Sequence, residues 1–171
     1  MMANPPPGGI SKHFSPPDLS GPASTMEPTP CYTVSTEPAR LDVPLIHAFL
    51  SGSYWASGIP LETVERALRH SLCFGAYGPE GNQAGFARVV TDYATFGYVA
   101  DVFVLPEHRG RGVSKLLMAA IHAHPDLQGL RRLLLITRDA HGLYRQFGYQ
   151  PPADPSQILT VHRPGVYQTP Q

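Results

Sequence analysis

The sequence predicts a mixed α/β (α+β) domain, and three observations predict it. Residues 98–137 read as strand, amphipathic helix and strand, a unit whose two strands should run parallel. Residues 74–90 read as two strand-like runs joined by Gly78-Pro79-Glu80-Gly81-Asn82, which is a hairpin signal. Ahead of them lie two stretches with helical spacing or capping residues. At 171 residues the chain is long enough for one well-buried core and too short for two domains of ordinary size.

Taken in order, residues 1–30 are dominated by Pro, Ser, Gly and Thr, including Pro5-Pro6-Pro7 and Pro16-Pro17. Such a segment buries too little apolar surface to offset its ordering entropy, so a disordered Pro-rich tail is expected, with the folded domain spanning 31–171. Cys31–Ser35 alternates as a first strand does. Asp42 is placed to cap a helix starting at Val43-Pro44, whose buried stripe is Leu45, Ile46, Phe49 and Leu50. A second helix is expected from Pro60 to about Ser71, with Leu61, Val64, Leu68 and Leu72 at helical spacing. Tyr98–Leu105 is apolar on both faces, as a central strand should be, and Asp101 is its one exception. Val113, Leu116, Leu117, Ala120, Ile121 and His124 form the stripe of an amphipathic helix that Pro125 ends. Leu133–Ile136 is a short apolar strand. A compact helix follows over Ala140–Phe147 and closes at Gly148, and Ile158–His162 is expected to be the last strand.

Composition excludes several functions. Thirteen Lys and Arg balance thirteen Asp and Glu, whereas nucleic acid and anionic membranes select a basic surface. Neither is expected as a partner. No apolar run approaches the roughly 18 residues needed to cross a bilayer, and no secretory signal opens the chain, so a cytoplasmic location is expected. The two cysteines, Cys31 and Cys73, make no disulfide framework, and the eight histidines are scattered, so no metal is expected.

Where the central strand should turn into a helix stands Arg109-Gly-Arg-Gly-Val-Ser114. Backbone N–H groups at such a junction point outward at a helix N-terminus, which makes an anion site. Gly110 and Gly112 permit the turn, and Arg109 and Arg111 offer planar donors suited to phosphate. A P-loop is excluded because G-x-x-x-x-G-K-[ST] is absent. The dinucleotide fingerprint is not completed either, since Gly110-Arg-Gly112 is followed by Val-Ser-Lys.

The loop does match [RQ]-x-x-G-x-[GA] preceded by Val104-x-Pro106, and a second block reads Ala140-His-Gly-Leu-Tyr144-Arg-Gln-Phe-Gly148-Tyr149. On these two blocks, over about residues 31–165, the sequence resembles the GNAT superfamily of acetyl-CoA-dependent N-acetyltransferases. It departs at Ser114, where Gly or Ala is usual, but serine is small enough to keep the turn open. The resemblance implies a central, mostly antiparallel sheet with one parallel strand pair splayed around the CoA site, flanked by about four helices. It also implies acetyl-CoA as cosubstrate, held by Val102, Phe103, Val104, Arg109, Gly110, Arg111, Gly112, Val113, Ser114 and His141. A small-molecule amine is the expected acceptor, and a homodimer is compatible with the family.

Acetyl transfer needs a proton for the departing thiolate, a role the resemblance gives to Tyr144; a phenol with an ordinary pKa near 10 is protonated at neutral pH and can donate. It also needs the amine deprotonated. Asp101 is the best candidate base, because a carboxylate in an apolar strand is costly unless functional or paired; a structural salt bridge is the equal alternative. For the acceptor the chain offers Tyr54, Trp55, Arg88, Asp92, Tyr93 and Phe96, a mix suited to stacking and ion pairing. The rival from another class is a GNAT-fold module that binds acyl-CoA as a sensor without turnover.

Overall fold

The computed structural model describes residues 31–163 and 165–168, so the expected tail over 1–30 lies outside the described residues. Five strands form one sheet in the order β1-β2-β3-β4-β5: β1 (Thr33–Ser35), β2 (Leu72–Tyr77), β3 (Gln83–Thr91), β4 (Phe96–Val104) and β5 (Arg132–Leu135). Four α-helices flank it: α1 (Val43–Ser51), α2 (Leu61–Arg69), α3 (Val113–Ala123) and α4 (His141–Arg145). Every neighbouring pair is antiparallel except β4 and β5, which run parallel and are joined through α3. That is the mixed α/β architecture the sequence predicts.

Local chemistry sets the helix ends. Asp42 Oδ1 accepts from the Leu45 N–H at 3.0 Å, and Pro44 occupies the first turn, where its missing N–H costs nothing. In α2, Glu62 lies in the first turn and Arg66 and Arg69 in the last, each suiting the helix dipole.

Two apolar clusters sit on opposite faces of the sheet. One packs Val113, Leu117, Met118 and Ile121 of α3 against Phe74, Ala87, Val89 and Val99, and includes Tyr144. The other packs Ile46, Leu50 and Val64 of α1 and α2 against Cys73, Phe86 and Phe103. Val99 and Phe103 are four residues apart and would share a face in a regular strand. They face opposite ways because, between the pairs Phe86–Phe103 and Arg88–Ala100, the single residue Ala87 of β3 stands opposite two of β4, Asp101 and Val102. The extra residue is a β-bulge, and Asp101 there takes a left-handed φ of +53°.

One expected element is corrected. Ile158–His162 is not a strand; Leu159 is 92 % and Val161 88 % exposed. Apolar alternation makes a strand only where an edge receives it, and prolines at 151, 152 and 155 remove ladder donors on the approach. Among the described residues no helix is long and apolar enough to cross a membrane.

Candidate active site

β4 runs into the short turn Pro106–His108 and then the glycine loop that starts α3. Gly110 and Gly112 have φ of +74° and +80°, a region that glycine enters freely and other residues enter under strain. A Cβ on either would meet nothing within 4 Å, so the requirement is conformational and the space in front of the loop is open. Gly112 is the N-cap of α3, and no side chain caps the helix. The first-turn N–H groups are therefore left to an incoming acceptor. Arg109 is tied back to the strand, its Nε donating to the Val104 carbonyl at 3.1 Å.

The strand pair opens at the same level. Among the described residues β4 pairs with β5 only from Phe96 to Val99, leaving its edge from Ala100 onward without a strand partner. A cavity of about 550 Å³ lies there, lined by Val102, Phe103, Val104, His108, Arg109, Gly110, Gly112, Val113 and Ser114. Its other walls are Phe49, Tyr54, Trp55, Asp139, Ala140, Leu143 and Tyr144. Of the expected cofactor residues, Arg111 is exposed outside this lining, and His141 lines a second cavity of about 340 Å³ between α4 and β5.

Tyr144 is 9 % exposed and lines both cavities. Burial pushes its phenol pKa above the ordinary value, and the neighbouring Tyr54 and Asp139 push the same way. The group is thereby kept protonated. Tyr149 stands edge-on to it at 5.9 Å, with its own phenol pushed up to about 12 by burial.

The expected acceptor residues divide into three sets. Tyr54 and Trp55, in the loop between α1 and α2, line the cavity and meet edge to face at 4.9 Å, with the Arg138 guanidinium 3.7 Å above the Tyr54 ring. Arg88 and Asp101 do not line it: Arg88 Nε donates to Asp101 Oδ2 at 2.6 Å, and Trp55 Nε1 donates to Asp101 Oδ1 at 3.1 Å. Asp92 and Tyr93 belong to the turn between β3 and β4, and Phe96 opens β4, all at the end of the sheet opposite the glycine loop. There Asp92 accepts from the N–H groups of Thr95, Phe96 and Ala94 and from the Thr95 hydroxyl, which holds its carboxyl far below the usual range. It is a turn-former.

Phe49, His108, Asp139, Ala140 and Leu143 also line the cavity without being expected there from the sequence, and Asp139 is the one carboxylate among them. The available signal was its place just past the carboxyl end of a parallel strand, where ligands of such sheets gather. Among the described residues no group of three or more His, Cys, Asp or Glu is arranged to hold a metal ion.

A glycine loop at a helix N-terminus, the open end of a parallel strand pair and a buried tyrosine border one cavity, and comparison with known proteins supplies the family. Residues 69–151 match the model of the acetyltransferase (GNAT) domain. A protein of Gibberella zeae, provisionally named an acetyltransferase, is 40 % identical over 136 residues, 66 % of this chain and 75 % of the relative. The chain belongs to the GNAT family of acetyltransferases.

Among solved structures it is similar to a provisionally named GNAT acetyltransferase from Xanthomonas campestris pv. campestris, at 56 % identity and a TM-score of 0.80, covering 82 % of this chain and 99 % of that one. Glucosamine-6-phosphate N-acetyltransferase from Arabidopsis thaliana shares the fold alone, at 14 % identity and a TM-score of 0.56, covering 78 % of this chain and 98 % of that one.

Proposed function

We propose that the chain moves an acetyl group from acetyl-CoA to the amine of a small molecule by direct attack, with Tyr144 as general acid. The observation that carries this reading is a single cavity bordered by the glycine loop, the unpaired end of β4 and Tyr144. The uncapped first turn of α3, with Arg109 beside it, would hold the pyrophosphate, and the positive-φ glycines let it approach the backbone. The free edge at Val102–Val104 would pair with the pantetheine amides and polarise the thioester oxygen. The amine nitrogen then attacks the carbonyl carbon and the C–S bond breaks. Tyr144 gives its proton to the departing sulfur, and the surplus proton on nitrogen passes to water. Asp101, already bound to Arg88 and Trp55, serves as a positioning residue that fixes the indole in the cavity wall.

The test is release of free thiol from acetyl-CoA by the full chain, offered a broad panel of small amines. Release above hydrolysis with at least one amine supports transfer. Binding of CoA with no turnover on any amine overturns it in favour of an acyl-CoA sensor.

A further inference from the structure

We propose that the acceptor is a small cationic amine with an apolar or aromatic body, and that Asp139 receives its ammonium group. The inference deepens the acetyl-transfer reading and rests on it for the meaning of the cavity.

The cavity is divided by charge. On the loop side the lining offers Arg109, His108 and a helix N-terminus, all suited to anions. Away from the loop the walls are Phe49, Tyr54, Trp55 and Leu143, with Asp139 as the one carboxylate in the lining. Phe49 stacks on Phe103 at 3.9 Å and 9°, which makes that wall flat and apolar.

Asp42, Asp92, Asp101 and Asp154 each accept hydrogen bonds from neighbouring groups. Asp139 accepts none among the described residues, where the ion pair found is Arg88 with Asp101. The adjacent Arg138 makes no ion pair with it; that guanidinium lies over the Tyr54 ring. Asp139 is also near enough to Tyr144 for its charge to bear on the phenol. A cation held there stands in the cavity that Tyr144 also lines.

These features select one charge type. An aliphatic amine with pKa near 10 arrives at neutral pH as ammonium, which a carboxylate orients and aromatic faces attract. An amine carrying carboxylate or phosphate near its nitrogen would meet Asp139 with like charge. Once held, the ammonium loses one proton to water, and the freed lone pair attacks as described above.

The probe is 2-phenylethylamine, with 2-phenylethanol as its neutral isostere, titrated into the full chain saturated with CoA. Trp55 is the chain's single tryptophan, so its fluorescence reports binding in the cavity without requiring turnover. The expected result is that the amine binds more tightly than the alcohol. Asp139→Asn should weaken the amine on the order of tenfold, as loss of a charged hydrogen bond does. Asp139→Glu should restore most of that loss, and the alcohol should not distinguish the variants. Asp139 is exposed, so the substitutions spare the fold. Equal binding of amine and alcohol, or an amine affinity that Asp139→Asn leaves unchanged, overturns the assignment. Charge-dependent amine binding without thiol release from acetyl-CoA defeats the transfer reading alone. Turnover of amines that Asp139→Asn does not alter defeats only the assignment of Asp139.

Discussion

Asp101 and Arg88 meet at 2.6 Å between Oδ2 and Nε, and the other carboxylate oxygen of Asp101 holds the indole N–H of Trp55. The pair is reached through the bulge in β4, which rotates Asp101 into a left-handed conformation and joins two strands to the loop between α1 and α2. The two side chains are 18 % and 12 % exposed, so water compensates little for loss of either partner. Asp101→Asn removes the charge facing Arg88. Stability should fall by about 1–3 kcal/mol, the usual cost of a charged hydrogen bond lost in a part-buried site. Thermal denaturation measures the loss, and Trp55 emission should shift to the red as the indole is released. An unchanged melting temperature and spectrum would remove the positioning role from Asp101.

Gly112 makes a prediction about conformation free of any clash. Its φ is +80° and a Cβ would meet nothing within 4 Å. Gly112→Val should store about 1–2 kcal/mol of backbone strain and tilt the first turn of α3. CoA affinity by calorimetry should drop at least about tenfold if that strain is relieved by moving the first-turn N–H groups. Gly142 lies inside α4, equally open but without positive φ, and Gly142→Ala should leave CoA affinity intact.

His122 gives the fold a pH dependence. Its ring stacks on Phe147 at 5.6 Å and meets Tyr149 edge-on, and Nε2 is buried without a hydrogen-bond partner among the described residues. Burial lowers its pKa from the ordinary 6.5. The unfolded chain therefore binds a proton that the folded chain resists. Above pH 6.5 both forms are neutral and His122 adds no pH dependence; as pH falls through 6.5 stability is lost. Urea unfolding of wild type and His122→Phe between pH 8 and 5 checks this. The variant should lose less stability across that window, and parallel curves would contradict it.

The cysteines should react in two classes. Cys31 is exposed, while Cys73 is 5 % exposed and its thiol is pushed up to about 11, by burial first, with Arg88 lowering it and Asp101 raising it. At neutral pH so little Cys73 is thiolate that a disulfide reagent should modify one thiol per folded chain promptly. The second should follow only on unfolding. Prompt reaction of both would contradict the packing of β2 against α2.

How much of this was legible in sequence differs element by element. The 3.6-residue stripe from Val113 to Ile121 identified α3, and the apolar runs around it identified the parallel pair, because buried faces impose those periods directly. The glycine loop was legible for a related reason, since Gly110 and Gly112 mark backbone that other residues avoid. The bulge was not, because one extra residue in β4 leaves no compositional trace and changes only which face Phe103 presents. Asp92, Tyr93 and Phe96 share the chemistry of acceptor residues, but strand direction carries them to the far end of the sheet. Ile158–His162 has strand chemistry and no strand edge to receive it. Asp139 joins the cavity only when the turn before α4 brings it beside Tyr54 and Tyr144, a tertiary relationship that residue spacing does not encode.

In the proposed reaction Tyr144 gives the proton to the departing thiolate. Tyr144→Phe keeps the ring that packs against α3 and Tyr149 and deletes only the hydroxyl, so the direct measurement compares CoA affinity with amine-dependent thiol release in wild type and variant. CoA affinity should stay unchanged and turnover should fall about a hundredfold or more, the usual size of a general-acid contribution. A Tyr144→Phe enzyme that turns over at the wild-type rate would contradict it.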